Sequence, residues 1–166
     1  MELNAAVPVE AIDSQLLWRI GTAAVLGPLL GLDREIRGHA AGLRTHGLIC
    51  VSAAAMAVAV IALYLQFDRG GETRMDPLRI FEATGAFVGF LGAGLIVFAR
   101  GRLHNLTTAA HLWLTAVIGI ACGAGLWPLV VVCTGASVVM LTVMALIEGN
   151  WSRDRRIGEQ RHRNEP

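Results

Sequence analysis

Five apolar runs dominate the chain: Leu16–Leu32, His46–Leu65, Ile80–Phe98, Leu106–Gly123 and Trp127–Ile147. Together they take 95 of the 166 residues, and nearly all of the charge lies in the gaps between them. A water-soluble domain of this size interleaves its charges, whereas here they are segregated and the mean hydropathy is positive. The hydrocarbon core of a bilayer is about 30 Å thick and takes roughly 20 helical residues to cross. No run alternates as a barrel strand does. A backbone in lipid must satisfy its own hydrogen bonds, so the runs should be helices. The expected fold is an all-α membrane protein with five transmembrane helices. One domain should span residues 16–147, after an extracytoplasmic segment 1–15 and before a basic cytoplasmic tail 148–166 that is expected to be disordered.

The first fifteen residues hold Glu2, Glu10 and Asp13 but no basic residue, so a cleavable signal is not expected and the first helix should remain as an anchor. Cys50, Cys122 and Cys133 all fall within the apolar runs, without disulfide-framework or zinc-ribbon spacing. They read as small hydrophobes. Every one of the fourteen basic residues is Arg. With the N-terminus outside, ten arginines fall on the inner side, namely Arg34, Arg37, Arg44, Arg100, Arg102 and five in the tail. Three, Arg69, Arg74 and Arg79, fall outside. Basic residues stay in the cytoplasm, so the expected orientation is N-terminus out and C-terminus in, in a bacterial inner membrane.

Both connections then assigned to the cytoplasmic side carry polar sequence: "GLDREIRGHAAGLRTHGL" (31–48) and "FARGRLHNLTTAAHLW" (98–113). An offset of 63 residues pairs Gly31 with Gly94, Leu32 with Leu95, Arg37 with Arg100 and Gly38 with Gly101. It also pairs Leu43 with Leu106, Thr45 with Thr108 and Ala53 with Ala116. The matches suggest a parallel two-helix repeat followed by a fifth helix. Small residues four apart let helices approach closely in lipid. Gly27 and Gly31, Gly85, Gly89 and Ala93, and Gly119 and Gly123 are such sets, and they suit packing within one chain or in a homo-oligomer.

The blocks "GLDRE", "AGLRTHGLICVSAAA", "GFLGAGLI" and "NLTTAAHLWLTAVIGIACGAG" occur in an order that resembles the MgtC/SapB family of bacterial inner-membrane proteins, from about Leu16 to Ile147. The resemblance implies a five-helix membrane domain linked to low-magnesium adaptation, intracellular survival and modulation of other membrane proteins. Many members are named magnesium transporters. The family's Gly-Leu/Ile-Glu-Arg-Glu reads Gly31-Leu32-Asp33-Arg34-Glu35 here, one carboxylate being shorter. Longer members carry a soluble C-terminal domain. Nineteen residues follow the fifth run, so a short form without that domain is expected.

Thr45 and Thr107 or Thr108 stand where helices two and four should begin, with Arg44 and Asn105 beside them. Two readings stay open. The threonines are ordinary helix caps and the arginines orientation signals, or Arg34, Arg44, Thr45, Asn105, Thr107 and Thr108 converge on an anion at two helix N-termini. In the second reading Asp33 and Glu35 hold the arginines in place, and the ligand is a phosphate, a lipid headgroup or a partner's carboxylate. Asp33 with Arg37, and Glu35 with His39, are also spaced to pair along a helix.

His39, His46, His104 and His111 are scattered, without the close spacing of a zinc site, so no metal or other cofactor is expected; a pH-sensitive interface suits them better. Glu82 and Arg19 fall within apolar runs at similar outer depth, where a lone charge is costly, and are expected to pair; the alternative is that Glu82 faces a lumen as an ion ligand. Mg²⁺ requires near-octahedral oxygen ligands, and a single in-membrane carboxylate makes a poor path for it. No nucleophile motif points to catalysis. The expected function is a non-enzymatic accessory or regulatory protein that binds other inner-membrane proteins or anionic lipids, with no nucleic-acid partner. The alternative is an oligomeric transporter or channel for ions or a small solute.

Overall fold

The computed structural model describes residues 14–67, 76, 78–99 and 102–143. The expected N-terminal segment, the basic tail and most of the connection after the second helix lie outside these. Five helices follow in order: α1 (Ser14–Ile36), α2 (Leu43–Phe67), α3 (Arg79–Leu95), α4 (Leu106–Ala124) and α5 (Trp127–Val143). The chain is an all-α membrane protein but for one short feature. An antiparallel ribbon, β1 (Val97–Ala99) with β2 (Arg102–His104), joins α3 to α4 with Val97 opposite His104. Helices α1, α2 and α4 are long and apolar enough to cross a bilayer. The 17 residues of α3 rise about 25 Å and reach the lower limit for a span.

The helix ends depart from the apolar runs, and each departure has a local cause. α1 continues past Leu32 through Asp33, Arg34 and Glu35 and stops only where Gly38 takes φ 69°. There the Gly38 amide donates to the Glu35 carbonyl and the His39 amide to the Arg34 carbonyl, the paired bonds of a glycine-terminated helix. A residue with a Cβ adopts that left-handed conformation only at a cost. α4 begins after Asn105, held at φ 64° with no side-chain cap hydrogen bond; its Nδ2 instead donates to the Leu95 carbonyl at 3.1 Å. Asn tolerates the left-handed region better than most residues, and here it turns the chain from the ribbon into α4.

α2 and α4 form the centre of the bundle. A Cβ added at Gly119 would collide with the Cys50 carbonyl, and one at Gly123 with the Ala54 carbonyl. The two backbones therefore lie in direct contact. On the other side of α2, Gly27 and Gly31 bring α1 against Cys50 and the Gly42 carbonyl. α3 packs on α4 through Gly85 against Trp113 and Gly92 against Ala109. Its buried line is Ile80, Thr84, Val88 and Gly92. The expected line through Gly89 and Ala93 is not used: Gly89 faces open space and Ala93 is exposed. α5 joins through Val130 and Cys133, packed with Ala23, Leu30 and Ile118.

The outside of this bundle is apolar. Phe90 is 77% exposed and Trp18 70%, which in water would make an aggregation surface. In a bilayer such side chains meet lipid, and the small-residue contacts hold the helices together where the hydrophobic effect gives no incentive.

Candidate functional site

The polar stretch after Leu32 forms the last turn of α1 and one end of the bundle. Arg34 faces inward and is only 7% exposed, and its Nη1 donates to Thr107 Oγ1 at 3.4 Å in the first turn of α4. Arg37 Nε donates to Asp33 Oδ1 at 2.8 Å. Glu35 points elsewhere, its Oε2 accepting the Leu43 amide at 3.0 Å. The carboxylate thereby satisfies one of the amides that a helix start leaves free. The Asp33–Arg37 pair expected from helical spacing is thus formed, while Glu35 is engaged with the start of α2.

These residues enclose a pocket of about 270 Å³. Its polar end is made by Asp33, Arg34, Arg37, His39 and Thr107, and its apolar side by Leu114, Met140 and Leu141. Two guanidiniums stand against one carboxylate at this end. A second recess of about 540 Å³ runs between α1 and α5, lined mostly by apolar residues such as Leu29, Ile36 and Val138. The two share Asp33, Arg37 and Leu141.

The inner wall of the pocket is a buried hydrogen-bonded chain across three helices, built on residues that sequence reasoning left scattered or passed over. His46 Nδ1 lies 2.9 Å from the Gly42 carbonyl, His46 Nε2 lies 2.9 Å from His111 Nδ1, and His111 Nε2 lies 2.8 Å from Ser137 Oγ. Ser137 and His46 are at most 1% exposed. His111 and Ser137 line the pocket, while His46 stands behind them. A signal for the wall exists in α4, where Thr108, His111 and Thr115 recur at helical spacing within an apolar run and are all buried. Such a polar stripe in a membrane helix turns towards other helices.

The remaining candidates fall outside the pocket. Arg44 is exposed and Thr45 is half-buried as the third residue of α2, already inside the helix and so not its cap. Thr108 is fully buried, and its Oγ1 has no hydrogen-bond partner among the described residues. Asn105 is occupied by its bond to Leu95. Thr107 is therefore a partner of Arg34 and neither threonine is a cap, because Asn105 holds the cap position. Of the other histidines, His39 joins the polar end and His104 is exposed in the ribbon. Among the described residues no group of three or more His, Cys, Asp or Glu side chains could hold a metal ion.

Arg19 and Glu82 are not brought together. Arg19 Nη1 donates to the Gly123 carbonyl at 3.0 Å, at the far end of α4. Glu82 lies exposed in the first turn of α3. Of α2, α3 and α4, α1 packs on α2 and α4, whereas α3 packs chiefly on α4. The first turn of a helix welcomes a carboxylate through its dipole, so Glu82 needs no cation from α1.

No solved structure matches the chain. Known sequences do. It is 35% identical over 117 residues to Protein SapB of Bacillus subtilis, covering 70% of this chain and 50% of that protein. It is 37% identical over 119 residues to the Putative magnesium transporter YhiD of Escherichia coli K12, covering 70% and 54%. Protein MgtC of Brucella abortus is 37% identical over 125 residues, covering 75% and 48%. The chain spans about half the length of these curated relatives. The model of the MgtC family matches residues 20–150, a span that contains all five helices save the start of α1, and with them the pocket from Asp33 to Leu141. The chain belongs to the MgtC family.

Proposed function

We propose that this protein is a non-enzymatic accessory and regulatory protein of the bacterial inner membrane that holds the headgroup of an anionic lipid at the end of α1. One observation carries the reading: a headgroup-sized pocket with a cationic end shares Asp33, Arg37 and Leu141 with a recess lined mostly by apolar residues of α1 and α5. Small-molecule pockets occupy about 300–1,000 Å³, so the polar compartment suits a headgroup better than a whole lipid, and the recess suits the start of an acyl chain. A protein's carboxylate would use the arginines but leave the recess without an occupant. Ser137 sits inside α5, where backbone amides are bonded within the helix, so its own helix offers no free amide to an oxyanion, which favours binding over acyl transfer. The name of the E. coli relative offers cation transport; the excess of guanidinium over carboxylate in the pocket favours an anion.

The test is lipid binding by purified protein in nanodiscs. Discs containing phosphatidylglycerol should be preferred to discs of phosphatidylcholine alone, and the preference should shrink as salt rises and screens the arginines. Equal binding to both at low salt would sink the reading. Orientation is part of the proposal and rests on the distribution of arginines. Reporter fusions at residues 40 and 103 should read cytoplasmic, and one at 72 periplasmic. A periplasmic signal at 40 would put the pocket on the other face.

A further inference from the structure

The Ser137–His111–His46 chain has a direction, and the direction specifies the ligand. A carbonyl oxygen only accepts, so His46 Nδ1, 2.9 Å from the Gly42 carbonyl, carries the proton. In a neutral imidazole the other nitrogen is then an acceptor. His46 Nε2 therefore accepts from His111 Nδ1–H across 2.9 Å. The same logic makes His111 Nε2 an acceptor, and the Ser137 hydroxyl donates to it across 2.8 Å. The single Ser137 hydrogen is thus committed inward, and the serine offers the pocket only an oxygen lone pair.

From this we infer that the pocket takes a phosphate ester that also carries a hydrogen-bond donor, such as a hydroxyl, on its headgroup. The inference rests on the anionic-headgroup reading above and narrows it. Arg34, which donates to Thr107, and Arg37, which is bridged to Asp33, supply the cationic end for the phosphate. Ser137 Oγ supplies an acceptor on the buried wall of the same pocket. An anion without a donor leaves that buried oxygen facing the ligand's lone pairs, and a buried polar group without a partner carries a real penalty. His46 does not line the pocket. It is a positioning residue that fixes the tautomer of His111 through Gly42.

The experiment compares nanodiscs containing phosphatidylglycerol with discs containing phosphatidylmethanol, at about pH 8, above the ordinary imidazole range of about 6.5. Both headgroups carry one negative charge, and only the first has hydroxyls. The wild type should bind phosphatidylglycerol about tenfold more tightly. Ser137→Ala should keep the gap, because the His111 Nε2 lone pair then faces the ligand. His46→Leu should close it, because His111 is free to adopt the other tautomer and turn the Ser137 hydrogen into the pocket. Free glycerophosphate and free methyl phosphate, titrated against protein in phosphatidylcholine discs, separate the sources. A hydroxyl preference seen only with the free esters keeps the chemistry and makes the ligand soluble. Equal, salt-sensitive binding of both lipids and both esters would overturn the inference while leaving the anion site standing. Binding to none of them overturns both.

Discussion

Replacing Gly119 by valine is expected to leave little folded protein. The added Cβ would collide with the Cys50 carbonyl and crowd Ala53 Cβ at 3.0 Å. A carbonyl inside a helix cannot swing aside without breaking that helix, so α2 and α4 must separate along their central contact. Overpacking a core costs about 1–3 kcal/mol where side chains can give, and more where they cannot; total stability is only about 5–15 kcal/mol. Gly89→Val is the matched control, because nothing lies within 4 Å of its added Cβ. Thermal unfolding in detergent, with the yield of monodisperse protein, reads the difference. Equal tolerance at positions 119 and 89 would mean that α2 and α4 do not touch in this way.

The second large effect is expected at Arg34. Arg34→Gln should weaken binding of anionic lipid about 10- to 100-fold, the scale of a lost charge-assisted hydrogen bond, and should flatten its salt dependence. Glutamine keeps a donor for Thr107 Oγ1, so helix packing has a route to survive, and an unchanged unfolding temperature would confirm that. Arg44→Lys is the informative companion. Reasoning from the helix starts alone makes Arg44 the planar donor of the site, yet it is exposed and outside the pocket. Its exchange for lysine should alter binding less than about twofold, as rim charges do. The opposite ranking, with Arg44 dominant, would move the ligand to the start of α2 and empty the pocket of its meaning.

The five helices were legible because the bilayer imposes one length and one polarity on whatever crosses it. Glycine pairs were legible where both members meet the same neighbour, as Gly27 and Gly31 do on α2. In α3 the same pattern pointed to the wrong line, since spacing says which residues share a face but not which face meets α4. The site was legible in part. Arg34, Asp33 and Thr107 were within reach because they flank the apolar runs, where charge and hydroxyls stand out. Arg19 and Glu82 misled because depth along a helix carries no information on which helices are neighbours. His111 and Ser137 are 26 residues apart, in different runs, and Ser137 has no feature that separates it from a serine facing lipid. Only the packing of α5 against α4 makes it a wall of the pocket.

That origin has a consequence for the order in which the molecule is made. Chains grow from the N-terminus, and earlier segments fold first. The close glycine contacts that unite α1, α2 and α4 involve no residue of α5, so they can form while the last helix is still in the ribosome. The arginines of the pocket and the two histidines of its wall are then already in place, but the wall lacks Ser137 until α5 has been translated and docked. On the proposed lipid reading, ligand competence therefore waits for α5. A nascent chain can thus assemble the central contact in the membrane before the proposed headgroup site has gained Ser137 and its neighbours on α5.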